Sequence, residues 1–311
     1  MAAAFLAVTA VAAVRSAHAW TGNDFRIYGV AGQTMLSGAL LHAYANPLVQ
    51  AGPLELALDG TLFRLSRWPV AQALVSDLLV AVMFVVAVRV FAGRKALPLA
   101  VACAGALALG IVTNPYTLGH FAEPVAAVLW LFAARDARRG RVLRAGLLIG
   151  LSAGFEPFGI LGIAVLALAP DLRAAAKGAA LAVGVLALQF APFALGGHFH
   201  MLDYHWHVTG GPLRLVIPGH AFGWPLRVVQ AAVTLAIAGL LARRVRGVAA
   251  AVFIVPAAAA IVRLAIDPMG TYYYWDTPLT IELVAAAVAL ANLDAIRAWV
   301  GARTGRLAAT V

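Results

Sequence analysis

The sequence predicts an all-α protein, built as a polytopic bundle of membrane-spanning helices. Of its 311 residues, 63% are hydrophobic and only 12% are charged, and the mean hydropathy is +0.90. Soluble globular chains carry about 25% charged residues, and no soluble fold could bury so much apolar surface. Long apolar runs also recur along the whole length, which favours a single transmembrane domain over residues 1–311.

Ten apolar runs are candidate spans. They cover residues 2–19, 69–90, 96–112, 118–134, 142–155, 157–169, 177–195, 222–242, 247–266 and 277–293. The two runs on either side of Glu156 are short, since crossing a hydrocarbon core of about 30 Å takes about 20 helical residues. Both are retained as a pair, because the later basic loops stay on one side of the membrane only if the chain crosses twice there.

The first run has two interpretations. Ala17-His18-Ala19 matches the small-x-small cleavage site of a signal peptide, but no positively charged stretch precedes the apolar residues. We therefore favour a retained first span. Either interpretation leaves Trp20 and the residues after it outside the cytoplasm.

The basic residues predict the orientation. Most of the 23 lysines and arginines fall in alternate connections between the runs, at 89–95, 135–144, 173–177, 243–246 and 297–306. The positive-inside rule places these connections and both termini in the cytoplasm. A net charge of +10 could also indicate nucleic-acid binding, but short basic bursts between apolar segments fit a topology signal better. The alanine and arginine bias is typical of a GC-rich bacterial genome, so we expect a multi-pass protein of the bacterial plasma membrane.

The opposite face collects the titratable side chains. All eight histidines map there, at positions 18, 42, 120, 198, 200, 205, 207 and 220. Cys103 is the only cysteine and lies in an apolar run, so neither a disulfide nor a cysteine metal site within the chain is expected. This polar face above an inert arginine-rich one predicts chemistry or binding outside the cytoplasm.

The first outer loop, residues 20–68, is long enough to need structure of its own. Its apolar positions after Asn23 have helical spacing, which predicts an interfacial helix, and a second helix is predicted to begin at Pro53. Asp24 could cap the first helix and oppose its dipole. It could instead act as a general base that takes a proton from a sugar hydroxyl.

Two further outer segments carry candidate site residues. In residues 196–223, an extended strand could bring His198, His200 and Asp203 together as a divalent-metal site, but sugar or lipid pocket lining and a plain interfacial loop are alternatives. In residues 267–277, the aromatic cluster could anchor a helix end or form a platform against a sugar or polyprenyl chain. Short connections add Asn114, His120, Glu123 and Glu156 to the same side.

Several short motifs resemble those of a known enzyme class. Asp24-Phe-Arg-Ile-Tyr28 resembles the Asp-x-x-x-Tyr stretch in the first outer loop of polyprenyl-phosphate-sugar-dependent glycosyltransferases of the GT-C superfamily, and the mannosyltransferase-like glycosyltransferase family 87 looks most similar. Gly119-His120-Phe-Ala-Glu123-Pro resembles the Gly-His-Pro-Glu segment of related bacterial membrane proteins. The likeness continues through Glu156-Pro157 and the late tyrosine-rich loop.

The resemblance implies inverting transfer of mannose, or another hexose or pentose, from a polyprenyl-phosphate donor to a cell-envelope glycan or lipid acceptor on the outer leaflet. Asp24 would be the catalytic base. The departing lipid phosphate needs cationic stabilisation, for which Arg26, Arg64, Arg67, Arg214 and Arg263 are candidates, with Arg64 and Arg214 preferred. The implied pocket residues are Tyr28, His120, Glu123, Glu156, His205, His207, Tyr273 and Trp275. The resemblance implies no particular cofactor, and a divalent metal stays open as a ligand of the site.

Two other functions remain open. The short chain and the acid at Glu156, which would repel a lipid phosphate, favour a non-catalytic lipid-binding or assembly subunit on the same scaffold, with a protein partner. Asp77 and Glu282 lie within predicted spans, and intramembrane acids often serve ion transport, which favours a transporter. No convincing inverted repeat, a feature common in transporters, accompanies them.

Overall fold

The computed structural model describes residues 1–17, 22–65 and 68–294, and this part of the chain is almost entirely helical. Its α-helices are α1 (Ala2–Ser16), α2 (Asn23–Leu36), α3 (Pro53–Phe63), α4 (Pro69–Ala92), α5 (Ala96–Ala108), α6 (Asn114–Leu118), α7 (Ala122–Arg138), α8 (Val142–Phe155), α9 (Leu172–Gly196), α10 (Leu213–Val216), α11 (Trp224–Val245), α12 (Ala251–Ala265) and α13 (Asp276–Ala291). Short 3₁₀ helices cover Leu40–His42, Met201–Asp203 and Tyr272–Trp275, and a longer one covers Pro157–Leu168. The strands β1 (Trp206–His207) and β2 (Ala221–Phe222) pair antiparallel. The all-α prediction is confirmed.

Each of the ten predicted spans overlaps one of the longer helices, although the bounds differ by several residues. In the described part of the chain, α4, α9 and α11 are long and apolar enough to cross a membrane. Five further apolar helices, namely α1, α5, α8, the 3₁₀ helix 157–168 and α12, are shorter. Of the predicted signal-peptide cleavage site, His18 and Ala19 lie outside the described residues.

The helices pack around two main hydrophobic cores. One joins α4, α5, α7 and α13 through buried residues such as Phe84, Leu131 and Ile281. The other contains the fully buried Trp130 of α7 and joins α7 to α8, α9, α11, α12 and the 3₁₀ helix 157–168. The Trp130 indole donates a hydrogen bond to the Gly159 carbonyl at 2.9 Å, which fixes the start of the 3₁₀ helix against α7.

The 3₁₀ helix 157–168 is unusually long, since such helices seldom exceed 3–4 residues. A residue before proline is disfavoured in α geometry, and α8 accordingly ends before Glu156-Pro157. With about three residues per turn, every third side chain lies in one column. The innermost column is buried along its whole length and consists of Gly159, Gly162, Val165 and Leu168. A Cβ at Gly162 would lie 2.6 Å from the Trp130 ring, so glycine allows this close packing.

Both helices predicted in the first outer loop are present, beginning at Asn23 and Pro53. They cross at Gly32 of α2 and Gly60 of α3, where the backbones touch. A Cβ on Gly32 would lie 1.9 Å from the Leu56 carbonyl oxygen and 2.6 Å from the Gly60 nitrogen. The close crossing holds α2, and with it Asp24, at a fixed distance from the rest of the bundle.

Replacing Gly32 with alanine is therefore expected to destabilise the protein. Overpacking costs about 1–3 kcal/mol and more where backbone must move, as it must here. Gly184 of α9 is the matched control, because a Cβ there meets nothing within 4 Å. Gly184→Ala is expected to raise stability by roughly 0.5–1 kcal/mol or leave it unchanged. Thermal unfolding of both variants in the same detergent checks this, and equal midpoints would contradict the packing argument.

Candidate functional site

A cavity of about 330 Å³ lies where α2, the 3₁₀ helix 157–168, α9, α11 and the segment before α13 meet. Its walls combine apolar side chains with a concentrated set of polar ones. The titratable residues that line it are Asp24, Tyr28, His120, Glu156, Tyr204, Arg227, Arg263, Tyr273 and Tyr274. Three separate predicted outer segments and the Glu156-Pro157 connection therefore converge on one space.

Asp24 and His120 form the central polar pair of this cavity. The Nε2 atom of His120 lies 2.9 Å from Oδ2 of Asp24. The Asp24 side chain is 42% exposed, whereas that of His120 is only 5% exposed. The N-cap position of α2 is Gly22 and no side chain caps the helix, so Asp24 lies in the first turn and binds His120 instead of capping.

A glycine makes this pairing feasible. Gly119 ends α6 in the left-handed conformation, with φ of +77°, where residues with a Cβ are disfavoured. A Cβ at Gly119 would also lie 2.4 Å from the backbone of Phe25. The start of α2 can therefore approach the α6–α7 connection closely enough for Asp24 to reach His120. The Gly-His pair in the sequence thus has a structural reason.

Two tyrosines hold the His120 ring. Tyr273 stacks on it with ring centroids 3.8 Å apart, and Tyr28 meets it edge-on at 5.9 Å. Burial raises the pKa of Tyr28, and the charge of Asp24 raises it further. Burial likewise raises the pKa of Tyr273, with Tyr274 adding to the effect. Both phenols therefore stay neutral and can donate hydrogen bonds into the cavity.

Two carboxyl groups, those of Glu123 and Glu156, lie close to His120. His120, Glu123 and Glu156 each offer one potential ligand atom, and these atoms lie within 4.8 Å of one another. Glu123, one of the predicted pocket residues, does not line the cavity. It is fully buried in the first turn of α7, and neither of its carboxylate oxygens has a hydrogen-bond partner among the described residues. This cluster can hold a divalent cation. His120 and Glu156 come from separate connections and Glu123 from α7, so only folding brings the three together.

Two arginines supply the positive charge of the cavity. Arg227 of α11 binds Oδ2 of Asp267 at 2.8 Å and lies over the Trp206 ring. Arg263 of α12 is 3.9 Å from both Oε1 of Glu156 and Oδ2 of Asp267. Its guanidinium also lies over the rings of Phe158 and Tyr274, 3.7 and 4.4 Å from their centroids. The longer ion pairs of Arg263 leave donor groups free for an anionic ligand.

The arginines preferred from the sequence lie elsewhere. Arg26, Arg64 and Arg214 are exposed and do not line the cavity, and Arg64 donates to the Leu36 carbonyl. Arg67 lies outside the described residues. Sequence reasoning included Arg263 but missed Arg227, because Arg227 falls inside an apolar run. Its position one turn after the start of α11 was the available signal.

The second outer segment presents other side chains than those predicted. Tyr204 and Trp206 line the cavity, whereas the predicted His205 and His207 are exposed and do not. Neighbouring residues of an extended backbone point to opposite sides. Because Tyr204 and Trp206 face the cavity, His205 and His207 face away from it. In the third segment, Tyr273 lines the cavity, while Trp275 is 52% exposed and does not.

The other predicted metal candidates form a separate exposed group. Nδ1 of His200 lies 2.7 Å from Oδ2 of Asp203, and the His198 ring stacks on His42 with centroids 4.7 Å apart. The local backbone is a bend followed by a short 3₁₀ helix, and not the predicted strand. None of these residues lines the cavity.

A second pair of buried acids lies behind the site on α3. Oε1 of Glu55 accepts a hydrogen bond from the Phe121 amide, while both oxygens of Asp59 are without a partner in the described chain. Burial raises the pKa of Asp59 well above its usual range. Burial also raises the pKa of Glu55, with the charge of Asp59 as the next cause.

Replacing Asp59 with asparagine is expected to stabilise the protein increasingly as the pH rises from 5 to 8. The folded state keeps the Asp59 proton, but the unfolded chain releases it above about pH 4, so wild-type stability falls with rising pH. Asparagine cannot ionise and removes this loss. Thermal unfolding midpoints at both pH values check the prediction, with Asp171→Asn, an exposed carboxylate on another loop, as control. A pH-independent difference between Asp59→Asn and wild type would contradict it.

Comparison with known proteins adds no assignment. Searches against protein-family models, curated proteins and solved structures each found no match for this chain.

Proposed function

We propose that this chain is a membrane glycosyltransferase of the GT-C type, which transfers a sugar from a polyprenyl-phosphate donor to a cell-envelope glycan or lipid acceptor. The sugar is mannose or another hexose or pentose, and transfer inverts the anomeric configuration. The observation that carries the proposal is the Asp24–His120 pair in a cavity that is also lined by Arg227 and Arg263.

Asp24 acts as the general base. One of its oxygens is held by His120 at 2.9 Å, and its partial exposure leaves the other accessible to an acceptor hydroxyl. As the acceptor oxygen attacks the anomeric carbon, its proton passes to Asp24 and the bond to the lipid phosphate breaks. His120 fixes the carboxylate, and its own ring is fixed by Tyr273. A base held in place in this way is what proton transfer in the transition state requires.

Arg263 and Arg227 stabilise the departing phosphate. A guanidinium offers five N–H donors in a planar fork that matches phosphate oxygens. Stacking on Phe158, Tyr274 and Trp206 holds both guanidinium groups in place without using those donors. The leaving group is already a weak base, so cationic stabilisation matters more than its protonation.

An apolar wall supports a lipid-linked donor. Leu186 of α9 and Val228 and Ala231 of α11 line the cavity. These two helices are the least buried of the long apolar ones, and α9 exposes Leu188 at 75%. Apolar surface of this extent on a helix long enough to span a bilayer fits contact with lipid. A polyprenyl chain would enter between α9 and α11 with its phosphate directed towards the arginines.

The proposal includes the topology that the sequence predicts. Ten spans in a bacterial plasma membrane, with both termini in the cytoplasm, put the cavity on the outer side. The opposite end of the bundle supports this arrangement, because the basic residues of 135–144 gather there around Asp136, which binds Arg144 at 3.0 Å. Basic residues of this kind mark the cytoplasmic side. Shorter helices serve as spans where they tilt or where the bilayer thins locally, each at modest cost.

Reconstitution tests the activity. Purified protein in liposomes, given polyprenyl-phosphate mannose and a lipid or oligosaccharide acceptor, is expected to yield a mannosylated product by mass spectrometry, with inverted anomeric configuration by NMR. Nucleotide-activated mannose serves as the control donor and should give no product. Donor binding without turnover on any lipid-linked sugar would replace this proposal with the non-catalytic lipid-binding role, for which the acidic Glu156 in the cavity is the favouring observation.

A further inference from the structure

We propose that His120, Glu123 and Glu156 bind one divalent transition-metal ion, of the Mn²⁺ or Zn²⁺ type, at the edge of the cavity where Glu123 is buried behind it. The inference does not rest on the transfer reaction, because metal binding is measurable in a protein that catalyses nothing. It stands on the spacing of three ligand atoms, the hydrogen bonding of one imidazole and the burial of one carboxylate.

The spacing suits a metal ion. The three potential ligand atoms lie within 4.8 Å of one another. Metal–nitrogen and metal–oxygen bonds of about 2.1 Å allow two ligand atoms to be up to about 4.2 Å apart, so side-chain shifts of less than about 1 Å close the site. Nδ1 of His120 and Oε2 of Glu123 are already 3.9 Å apart.

The hydrogen bonding of His120 leaves its Nδ1 atom free to bind a metal ion. Its Nε2 atom is 2.9 Å from the Asp24 carboxylate, to which a neutral imidazole donates its single N–H. The Nδ1 lone pair then faces the oxygen of Glu123 at 3.9 Å, so two acceptors oppose each other. A proton between them would need a separation of about 2.7–3.2 Å, whereas a metal ion fits the observed gap. A carboxylate behind a metal-bound histidine is a common arrangement that fixes the ring.

The carboxylate of Glu123 provides the independent observation. Its side chain is fully buried, and both oxygens lack a hydrogen-bond partner among the described residues. A buried carboxyl group whose oxygens have no hydrogen-bond partner costs free energy whether or not it carries a charge. Arg263 forms its ion pair in this cluster with Glu156, at 3.9 Å, and not with Glu123. A cation at the cluster would compensate Glu123 directly.

The donor set indicates the class of metal. One imidazole and two carboxylates mix nitrogen and oxygen ligands, a combination that suits Zn²⁺ and Mn²⁺ better than soft ions. Three protein ligands leave coordination positions open, and His120 and Glu156 both face the cavity. The open positions would take water or the oxygen of a phosphate group.

Mn²⁺ titration followed by electron paramagnetic resonance tests the site on the full-length, metal-stripped protein in detergent. Wild type is expected to bind one Mn²⁺ per chain. Glu123→Gln should weaken binding at least 10-fold. Asp24→Asn, which changes only the partner of His120, should weaken it by roughly 10- to 100-fold, as outer-shell substitutions typically do. If Glu123→Gln fails to fold, the partly exposed Glu156→Gln takes its place.

The exposed His200–Asp203 pair provides the matched control. His200→Gln is expected to leave the stoichiometry and affinity for Mn²⁺ unchanged, because this pair lies outside the cavity. Three outcomes would overturn the proposal: no stoichiometric binding by wild type, unchanged binding in folded Glu123→Gln and Glu156→Gln variants, or loss of binding in His200→Gln. Each can be read without any measurement of sugar transfer.

Discussion

Asparagine at position 24 is expected to lower the rate of sugar transfer by about 10²- to 10⁴-fold, the usual contribution of a general base. The amide keeps the size of the carboxylate and can still hydrogen-bond His120, so the geometry at 2.9 Å survives. What disappears is the oxygen that accepts the acceptor hydroxyl proton. The loss should therefore fall on kcat, with little change in donor affinity or in the thermal unfolding midpoint.

Rates from the liposome assay, together with donor binding and thermal unfolding, check this expectation. Asp203→Asn is the control, since Asp203 is an exposed acid of another loop whose carboxylate binds His200. That variant should keep wild-type turnover. Wild-type turnover in Asp24→Asn would remove Asp24 from the mechanism, even if the chain proved to be a glycosyltransferase.

Replacing Arg263 with methionine is expected to affect both stability and donor binding. Its side chain is only 4% exposed, and it is the shared partner of Glu156 and Asp267. Removing one partner of a buried ion pair typically costs about 3–5 kcal/mol. Losing charge-assisted hydrogen bonds worth about 1.5–3 kcal/mol should weaken binding of a polyprenyl-phosphate donor roughly 10- to 100-fold.

Two companion variants separate these effects. Arg263→Lys keeps the charge but loses the planar fork, so it should recover much of the stability and less of the donor affinity. Arg214→Met removes an exposed arginine outside the cavity and should change neither quantity. Binding is measured with fluorescent polyprenyl phosphate, and undiminished affinity in folded Arg263→Met would contradict the assignment of Arg263 to the phosphate.

The parts of the fold that follow from local chemistry were predictable. Apolar runs located the helices, and the sequence around Asn23 and Pro53 located the starts of α2 and α3. The 3₁₀ geometry of residues 157–168 was not predictable, because it depends on the tertiary packing of Gly159 and Gly162 against α8 and Trp130. Hydrophobicity alone cannot distinguish such a helix from an α-helix.

In the candidate site too, some residues were predictable from the local sequence and others depended on long-range packing. Asp24, Tyr28, His120, Glu156 and Tyr273 were predicted from charge and motif, and all line one cavity. Arg227 was missed because its neighbours are apolar, although a guanidinium over Trp206 is stable at the end of such a run. The choice between the two faces of residues 204–207 needed the register of β1 against β2, which is a long-range property.

The 3₁₀ helix 157–168, which forms one wall of the cavity, is longer than an α-helix of the same residues would be. Twelve residues at about 2.0 Å each form a rod of about 24 Å, whereas α geometry would shorten the same residues to about 18 Å. The C-terminal end of this helix is held in place, because Arg246 donates a hydrogen bond to the Ala169 carbonyl. The contacts of Gly159 and Gly162 with α8 and Trp130 hold the other end in this extended winding, which sets how far Glu156 and Phe158 reach along the cavity.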